Sequence, residues 1–306
     1  MGSSTLLLGL DVGGSHTRLR GERGDGRGRV DREGPGANPN RVGEHSTVER
    51  LVDLATSVLA EATDIDHLVL AAGISGAGSP SVQSRLTKAL DAALAQPDLR
   101  VDVEVVHDGM IALDAAYNDG SGVIVIAGTG SLVLARAKDG TLVRAGGWGP
   151  QLGDNGSGHA LGRAGLRAVA EALDGGRDTM LRAHVFDTFD LDDRTDLLTT
   201  VHDDSFSMPD IAPLVVDAAQ EDDPVATRIL HDQVSALAQQ VGWLRDRTPN
   251  VIPRLTMLGG MTTNSHYRRA LRNALRDHVP NWSIQRLDSP PVLGALRRAR
   301  RLVEDT

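Results

Sequence analysis

The chain has 306 residues, with 32 Lys and Arg against 41 Asp and Glu, a net charge of −9 and no cysteine. The absence of thiols excludes disulfides, thiolate nucleophiles, and iron–sulfur or zinc sites held by cysteine. The negative charge disfavours a nucleic-acid partner, and no apolar run reaches the roughly 18–20 residues that a membrane span needs. Length and composition fit a globular protein of two domains, which we expect to be cytoplasmic.

The first part of the chain, residues 1–117, alternates short strands with amphipathic helices and is predicted to form the N-terminal domain. The helices are predicted where apolar residues recur at spacings of three and four. The predicted elements are strands at Thr5–Leu10, Thr17–Arg20 and Gly28–Arg32, a helix at Thr47–Ala62, a strand at His67–Ala72, a helix at Ser81–Ala95, a strand at Val101–Val106 and a short helix at Met110–Tyr117.

The second part, residues 118–291, is predicted to form a larger domain. Its predicted elements are strands at Val123–Ile126 and Leu132–Ala135, a hairpin turn at Asp139–Gly140, helices at Ser157–Leu173, Met180–Thr188, Ile211–Ala219 and Pro224–Arg247, a strand at Arg254–Leu258 and a helix at Tyr267–Asp277. A C-terminal helix within residues 292–306, predicted at Val292–Val303, should pack back on the first domain. Strand, glycine turn and strand occur at both Leu8–Leu19 and Val123–Ala135, which suggests two copies of one supersecondary unit.

Three glycine turns follow predicted strands, and such turns let backbone N–H groups approach phosphate oxygens closely. Taken singly, each is more often an ordinary turn. The sequence has no P-loop or dinucleotide-binding glycine motif that opens a helix. Asp11, just before the first turn, would be tolerated beside phosphates if Mg²⁺ lay between them. The turns are Gly13–Ser15, Gly128–Ser131 and Gly259–Gly260.

Two further features are candidates for an acceptor site. Asp108 follows a strand and, taken by itself, is predicted to be the N-cap of the helix at Met110–Tyr117, a role that is compatible with a catalytic one. The stretch Gly146–Gly158 has too many glycines for a helix and contains Trp148 and Asp154. An indole face with a nearby carboxylate suits a sugar ring, whereas the alternative is a buried tryptophan and a capping carboxylate.

At these motifs the sequence resembles the N-acetylglucosamine kinases of the BadF-type ATPase family, within the sugar kinase, actin and heat-shock ATPase superfamily. The resemblance covers nearly the whole chain, in the motifs DVGGSHT, VVHDG, VIAGTGS, GGWGPQLGDNGSG, LGGMTTN and PPVLGAL. It implies an α/β, two-domain actin-like ATPase fold with a ribonuclease H-like motif in each domain and a cleft between them. It also implies ATP and Mg²⁺ as cofactors and a homodimer.

The resemblance implies that Asp108 is the general base and that γ-phosphoryl transfer goes to the 6-hydroxyl of an amino sugar. The residues implied for the sugar are Asn38, Asp108, Ser131, Gly147, Trp148 and Asp154. Those implied for the nucleotide are Gly13, Gly14, Ser15, Thr17, Gly128, Thr129, Gly130, Gly259 and Gly260, with Asp11 on Mg²⁺ through water.

The acceptor is predicted to be N-acetylglucosamine or glucosamine, although Leu132 and Asn155 stand where the family often has Asn and Glu. Another hexose or a muramyl sugar stays open, as does a non-enzymatic, actin-like nucleotide-gated binding or filament protein. The chain lacks the thiols of the iron–sulfur ATPases and the zinc motif of the repressor, open-reading-frame and kinase class. His16, His107 and His159 lack metal-ligand spacing, and the arginines of Arg297–Arg301 are predicted to complement a helix dipole.

Overall fold

The computed structural model describes residues 4–304, which fold into two compact units. One unit takes in the described residues up to Gly120 and those from Leu287 onward, and the other is Ser121–Arg286. Each unit contains one five-stranded mixed sheet and several helices, so the predicted α/β class is confirmed. Within residues 4–304, every helix is too short or too polar to cross a membrane.

The described residues form ten strands and ten helices. The strands are β1 Thr5–Val12, β2 His16–Arg23, β3 Val30–Pro35, β4 His67–Ile74, β5 Arg100–His107, β6 Gly122–Ala127, β7 Ser131–Arg136, β8 Leu142–Gly146, β9 Arg254–Leu258 and β10 Ser283–Arg286. The helices are α1 Pro39–Leu59, α2 Pro80–Leu94, α3 Asp108–Tyr117, α4 Gly158–Leu173, α5 Met180–Phe189, α6 Arg194–Val201, α7 Ala212–Gln220, α8 Pro224–Arg247, α9 Ser265–His278 and α10 Val292–Glu304, and 3₁₀ turns lie at Met208–Ile211 and Gly260–Thr263.

Both sheets have the same topology. Their strand orders are β3-β2-β1-β4-β5 and β8-β7-β6-β9-β10. In each sheet the first three strands form an antiparallel meander, and the last two run parallel to the first. The predicted repeat of strand, glycine turn and strand is therefore confirmed, and it extends to all five strands of each unit.

The strand β1 is buried on both faces. Because side chains alternate across a strand, Leu8 and Leu10 join the cluster formed with α1 and α2, whereas Leu7 packs with Leu296 and Ala299 of α10. A strand covered on both faces has a continuous apolar sequence, which explains the run from Leu6 to Leu10. The helix α10 thus belongs to the first unit, although it is the last element of the chain.

Every predicted strand and helix overlaps an observed one, but three elements were missed: β8, α6 and β10. β10 is four residues long, and its exposed polar residues gave no apolar pattern. The helix α1 begins at Pro39 rather than at the predicted Thr47, because two helical stretches join across Gly43, whose φ of 81° is not helical. A glycine in that position hides the first stretch from a search for helical periodicity.

The arginines of α10 bind specific carboxylates, so the prediction that they merely complement a helix dipole is wrong. Arg298 donates to Glu104 at 2.7 Å and to Asp114 at 2.8 Å, and Arg301 donates to Asp114 at 2.9 Å. Asp114 is fully buried, and a buried carboxylate requires such partners. Burial lowers the pKa of Arg298, but Glu104 and Asp114 outweigh burial and hold this pKa above its ordinary value.

We expect Arg298→Met to lower the free energy of unfolding by about 3 kcal/mol, because it removes one partner from a buried ion-pair network. Urea unfolding followed by far-UV circular dichroism measures the change. Arg276→Met, at an exposed site on α9, is the control and should cost less than about 0.5 kcal/mol. Equal stability of the two variants would show that the α10 network does not hold the first unit together.

Candidate active site

In the first unit, the carboxyl ends of three parallel strands meet at one edge of the sheet. Val12 of β1, Ile74 of β4 and His107 of β5 lie in register across these strands. The residues that follow them are the turn Gly13–Ser15, the loop after β4 and the first turn of α3. The fold therefore brings the first glycine turn and Asp108 to the same sheet edge, although about a hundred residues separate them.

The turn Gly13–Ser15 is closed by backbone hydrogen bonds. The N–H of Gly13 donates to the carbonyl of His16 at 2.9 Å, and the N–H of Gly36 donates to the carbonyl of Ser15 at 3.0 Å. Thr17, a predicted nucleotide contact, is buried, and its hydroxyl donates to the carbonyl of Pro35 at 2.8 Å. That hydroxyl therefore stabilises the pairing of β2 with β3. Its contact with a nucleotide stays a prediction.

Asp11 lines a cavity of about 260 Å³ together with Gly13, Ser15, His16 and Arg18. Burial and the nearby charge of Asp108 both raise the pKa of Asp11, Arg18 lowers it, and together they bring this pKa to about 6. Two carboxylates close enough to repel each other favour a cation between or beside them. This chemistry fits the predicted Mg²⁺ position.

The described residues offer few side chains besides Asp11 as metal ligands. Among residues 4–304, no cluster of three or more His, Asp or Glu side chains could hold a metal ion. Mg²⁺ commonly keeps several waters and takes one or two carboxylates plus substrate phosphates. A single carboxylate beside a glycine turn therefore suits Mg²⁺ carried in with a nucleotide, and the contact through water stays a prediction.

Asp108 is the first residue of α3. Its Oδ1 accepts the N–H of Gly109 at 2.8 Å and lies 3.0 Å from Nδ1 of His107. The N-cap of α3 is His107, so the alternative that Asp108 is this cap is wrong. The side chain of Asp108 is 32% exposed, which leaves its carboxylate accessible to a ligand.

Asn38 lies at the same edge of the first sheet. It caps α1, and its Oδ1 accepts the N–H of Asn40 at 2.9 Å. Its Nδ2 donates to Oγ of Ser75, the residue after β4, at 3.4 Å. The first unit therefore groups Asn38, Asp11 and Asp108 at the strand ends, while Ser75 is a neighbour that motif comparison missed.

In the second unit, two glycine turns lie at adjacent strand ends. The strands β6 and β9 are parallel neighbours, with Ile126 opposite Leu258. Gly259 has a φ of +100°, and a Cβ on it would lie 2.3 Å from the carbonyl oxygen of Ala127, so this position requires glycine. A Cβ on Gly260 would meet nothing within 4 Å. The turn therefore offers a bare, open backbone surface.

We define the glycine-rich loop as residues 146–157. Its last residues lie along the turn Gly128–Ser131. Asp154 is buried and accepts the N–H of Ser131 at 3.2 Å, and the hydroxyl of Ser131 donates to the carbonyl of Asn155 at 2.8 Å. Just beyond the loop, the N–H of Gly158 donates to the carbonyl of Gly128 at 2.8 Å. Asp154 and Ser131 thus fix this loop on the turn, and their direct contact with a sugar stays a prediction.

The other predicted sugar contacts of the loop face solvent. Trp148 is 67% exposed, so the alternative of a core tryptophan is wrong. Leu152 is 82% exposed, and the guanidinium of Arg144 lies 5.8 Å from the centroid of the Trp148 ring. Gly147, beside Trp148, is exposed and has a φ of +68°. The loop therefore presents an accessible aromatic face.

Tyr267 holds the end of the glycine-rich loop in place from the buried side. No sequence pattern indicated this role. Its side chain is fully buried, and its hydroxyl donates to the carbonyl of Gly156 at 2.5 Å. The N–H of Gly156 donates to Gln233 of α8 at 3.1 Å. Burial raises the pKa of Tyr267, so the hydroxyl keeps its proton. Because α9 begins just after Gly260–Thr263, Tyr267 connects the last glycine turn to this loop.

Comparison with known proteins adds a family to this geometry. Residues 8–296 match the BadF/BadG/BcrA/BcrD ATPase family. The chain belongs to this family. The predicted resemblance is therefore confirmed over nearly the whole sequence.

Two curated relatives of this chain are kinases by name. One is the N-acetylmuramic acid/N-acetylglucosamine kinase of Clostridium acetobutylicum, 32% identical over 203 residues, which are 64% of this chain and 66% of the relative. The other is the N-acetyl-D-glucosamine kinase of Dictyostelium discoideum, 25% identical over 309 aligned positions, which cover 96% of this chain and 97% of the relative.

Solved structures confirm the predicted actin-like ATPase fold. A candidate N-acetylglucosamine kinase from Chromobacterium violaceum superposes with a TM-score of 0.77 at 24% identity, over 97% of this chain and 100% of that one. A glucokinase of the ROK family from Streptomyces griseus, crystallised with glucose and AMPPNP, superposes with a TM-score of 0.58 at 15% identity, over 98% of this chain and 100% of that one. At these identities the likeness establishes the fold alone.

Asp11→Asn should make the ligand-free protein more stable at pH 8. The pKa of Asp11 is about 6 in the folded protein and 3.8 ordinarily, so the folded state binds the proton more tightly and the charged form opposes folding above pH 6. We expect a gain of about 2 kcal/mol at pH 8 that disappears as the pH falls through this window toward 4. Urea unfolding at pH 4, 6 and 8 without Mg²⁺ checks this, and a variant less stable than the wild type at pH 8 would contradict it.

Tyr267→Phe should loosen the glycine-rich loop, because it leaves the buried carbonyl of Gly156 without its donor at a cost of about 1–3 kcal/mol. Hydrogen exchange of peptides covering residues 146–157 should speed up by about tenfold or more. Tyr117→Phe, at the other tyrosine of the described chain, is the control. It also removes a buried hydroxyl, but in the first unit, and should leave exchange in the loop unchanged. Unchanged exchange in Tyr267→Phe would refute the pinning role.

Proposed function

We propose that the protein is an ATP-dependent kinase that transfers the γ-phosphoryl group of ATP to the 6-hydroxyl of an amino sugar, N-acetylglucosamine or glucosamine. Membership of an ATPase family and the names of both curated relatives support this. The observation that carries it is Asp108, an accessible carboxylate at the same sheet edge as the first glycine turn. We further expect a homodimer in the cytoplasm.

Asp108 would be the general base. Phosphoryl transfer depends mainly on positioning and on stabilising charge, so one carboxylate on the attacking hydroxyl can suffice. Its Oδ1 is held by the N–H of Gly109, which fixes the orientation of the group. Its Oδ2 makes no hydrogen bond within residues 4–304, and it would accept the proton that leaves the sugar hydroxyl.

The nucleotide would be held mainly by backbone. In the first unit, the turn Gly13–Ser15 would bind phosphate oxygens through N–H groups, and Asp11 would hold Mg²⁺ through water. Bound Mg²⁺ would supply positive charge to the phosphates. In the second unit, Gly128–Gly130 would bind further phosphate oxygens, and the bare surface at Gly259–Gly260 would lie against the adenosine.

The sugar would be recognised by side chains from loops. Asn38 is the candidate in the first unit, and its amide can both donate and accept hydrogen bonds. In the second unit, the exposed ring of Trp148 suits the apolar face of a hexose, with Gly147 leaving room beside it. Asp154 and Ser131 hold the loop in place and would contribute their remaining acceptor capacity to hydroxyl groups.

Asp108→Ala should reduce sugar-dependent ADP release by about 10³-fold, because it removes the base that takes the hydroxyl proton. Binding of ATP should change by less than about threefold, since Asp108 is assigned to the acceptor rather than to the nucleotide. A coupled ADP assay with N-acetylglucosamine, glucosamine and glucose measures the rate, and ³¹P NMR of the product identifies the phosphorylated hydroxyl.

Asp98→Ala, at an exposed acid of the same unit, is the matched control and should keep the wild-type rate. If Asp108→Ala turned over within tenfold of the wild type, the base assignment would be wrong. If the wild-type protein released ADP at the same rate without any sugar, the kinase proposal would be wrong as well.

A further inference from the structure

His107 contacts the proposed base through one ring nitrogen. Its Nδ1 lies 3.0 Å from Oδ1 of Asp108 and 3.1 Å from the backbone nitrogen of Gly109, and both distances are those of hydrogen bonds. A ring nitrogen has either a proton or a lone pair, so Nδ1 can donate to Asp108 or accept from Gly109, but it cannot do both. The position of the proton on His107 therefore decides what the carboxylate faces.

The contact with Gly109 is the one that the structure can give up. The N–H of Gly109 has a second and shorter acceptor, Oδ1 of Asp108 at 2.8 Å, so it stays paired when Nδ1 carries a proton. Without that proton, a lone pair of the ring would face a lone pair of the carboxylate across 3.0 Å and repel it. Because a donor to a charged oxygen forms a strong hydrogen bond, ionised Asp108 favours the proton on Nδ1.

Among the described residues, His107 is the only side-chain partner of Asp108. Within residues 4–304, Asp108 forms no ion pair with Lys or Arg, and its other hydrogen bond comes from the N–H of Gly109. Its negative charge is close enough to Asp11 to raise the pKa of that residue. A carboxylate that faces a second carboxylate is stabilised by a donor that holds it. His107 is the side chain placed to supply this donor.

The fold holds the imidazole ring in this place. His107 is the last residue of β5 and lies opposite Ile74, the last residue of β4. A Cβ on Gly78, in the loop after β4, would lie 3.8 Å from Cδ2 of the ring, so the ring packs beside that backbone. Nε2 makes no hydrogen bond within the part of the chain that the structure describes, which leaves it to be the acceptor nitrogen of the neutral ring.

We propose that His107 is a positioning residue of the proposed active site, whose Nδ1–H donates to Oδ1 of Asp108 and turns Oδ2 toward the acceptor hydroxyl. The proposal rests on the proposed function, in which Asp108 is the base. With Nδ1–H and the N–H of Gly109 both on Oδ1, rotation of the carboxylate is restricted, and Oδ2 keeps its lone pairs for the proton of the sugar hydroxyl. His107 keeps its own proton throughout, so it acts through Asp108 and not on the substrate.

Substitutions of His107 separate positioning from capping, with ADP release and urea unfolding as the measurements. His107→Ala should lower kcat by about tenfold or more, with KM for sugar and for ATP within about threefold, because the base is misplaced but still present. His107→Asn should restore kcat to within about threefold of the wild type, since its amide N–H lies as many bonds from the backbone as Nδ1 does. His107→Ser should restore stability but not kcat, because serine is a good N-cap whose hydroxyl lies one bond nearer to the backbone. Equal kcat in His107→Ser and His107→Asn would overturn the proposal.

A double-mutant cycle tests whether His107 acts through Asp108. In an Asp108→Ala background, His107→Ala should change the residual rate by less than about twofold, because no carboxylate remains to be positioned. A further loss of about tenfold would show that His107 acts elsewhere and would overturn the proposal. His67→Ala is the matched control. His67 pairs with Asp102 at 2.7 Å near the opposite ends of β4 and β5, so this variant should keep the wild-type kcat.

NMR of the ring nitrogens gives a readout that does not need turnover. Long-range ¹H–¹⁵N spectra, with His107 assigned by its loss in His107→Asn, should show a proton on Nδ1 in the wild type. Asp108→Ala should have none there, because Nδ1 would then accept from Gly109. A wild-type ring protonated on Nε2 alone would overturn the proposal while leaving the kinase activity standing. Wild-type protein that releases no ADP with any sugar would instead overturn the proposed function, and the positioning role with it.

Discussion

The position of Asp108 depends on how closely the backbone of α10 approaches α3 and β1. A Cβ on Gly294 of α10 would lie 1.8 Å from the carbonyl oxygen of Ile111 in α3, and a Cβ on Gly9 of β1 would lie 2.3 Å from a backbone nitrogen of α10. Any larger residue would push these elements apart. The buried Asp114 then ties α3 to two arginines of α10. The helix that begins with Asp108 is thus held against α10 at Ile111 and at Asp114.

The two units share a topology but differ in charge at equivalent places. Asp11 comes two residues before Gly13, whose N–H closes the first turn, and Ile126 comes two residues before Gly128, whose N–H closes the corresponding turn. The first unit therefore has a carboxylate where the second has an apolar residue. Because of this difference, the first copy can face a cation, whereas the second can approach anionic oxygens with backbone alone.

Local patterns were enough for the elements and the glycine turns, because both depend on residues close in sequence. They were not enough for the contacts that position the site. Tyr267 and its acceptor Gly156 are 111 residues apart, and Arg298 and Asp114 are 184 apart. Such pairs leave no periodic trace in the sequence. From the sequence, Arg298 was therefore assigned only to a helix dipole, and Tyr267 was given no role. Trp148 was predicted because glycine-rich loops with an aromatic residue have a recognisable composition.

The glycine-rich loop is fixed by hydrogen bonds at its end, whereas the side chains of Trp148 and Leu152, earlier in the loop, are exposed. Its last residues are held through backbone atoms, which accept hydrogen bonds from Ser131 and Tyr267 and donate one to Gln233. Substitutions elsewhere in the loop would leave these bonds intact. The exposed side chains of Trp148 and Leu152 can therefore change without moving the turn Gly128–Ser131, on which the end of the loop lies. A kinase built in this way can alter its choice of sugar while it keeps the geometry of phosphoryl transfer.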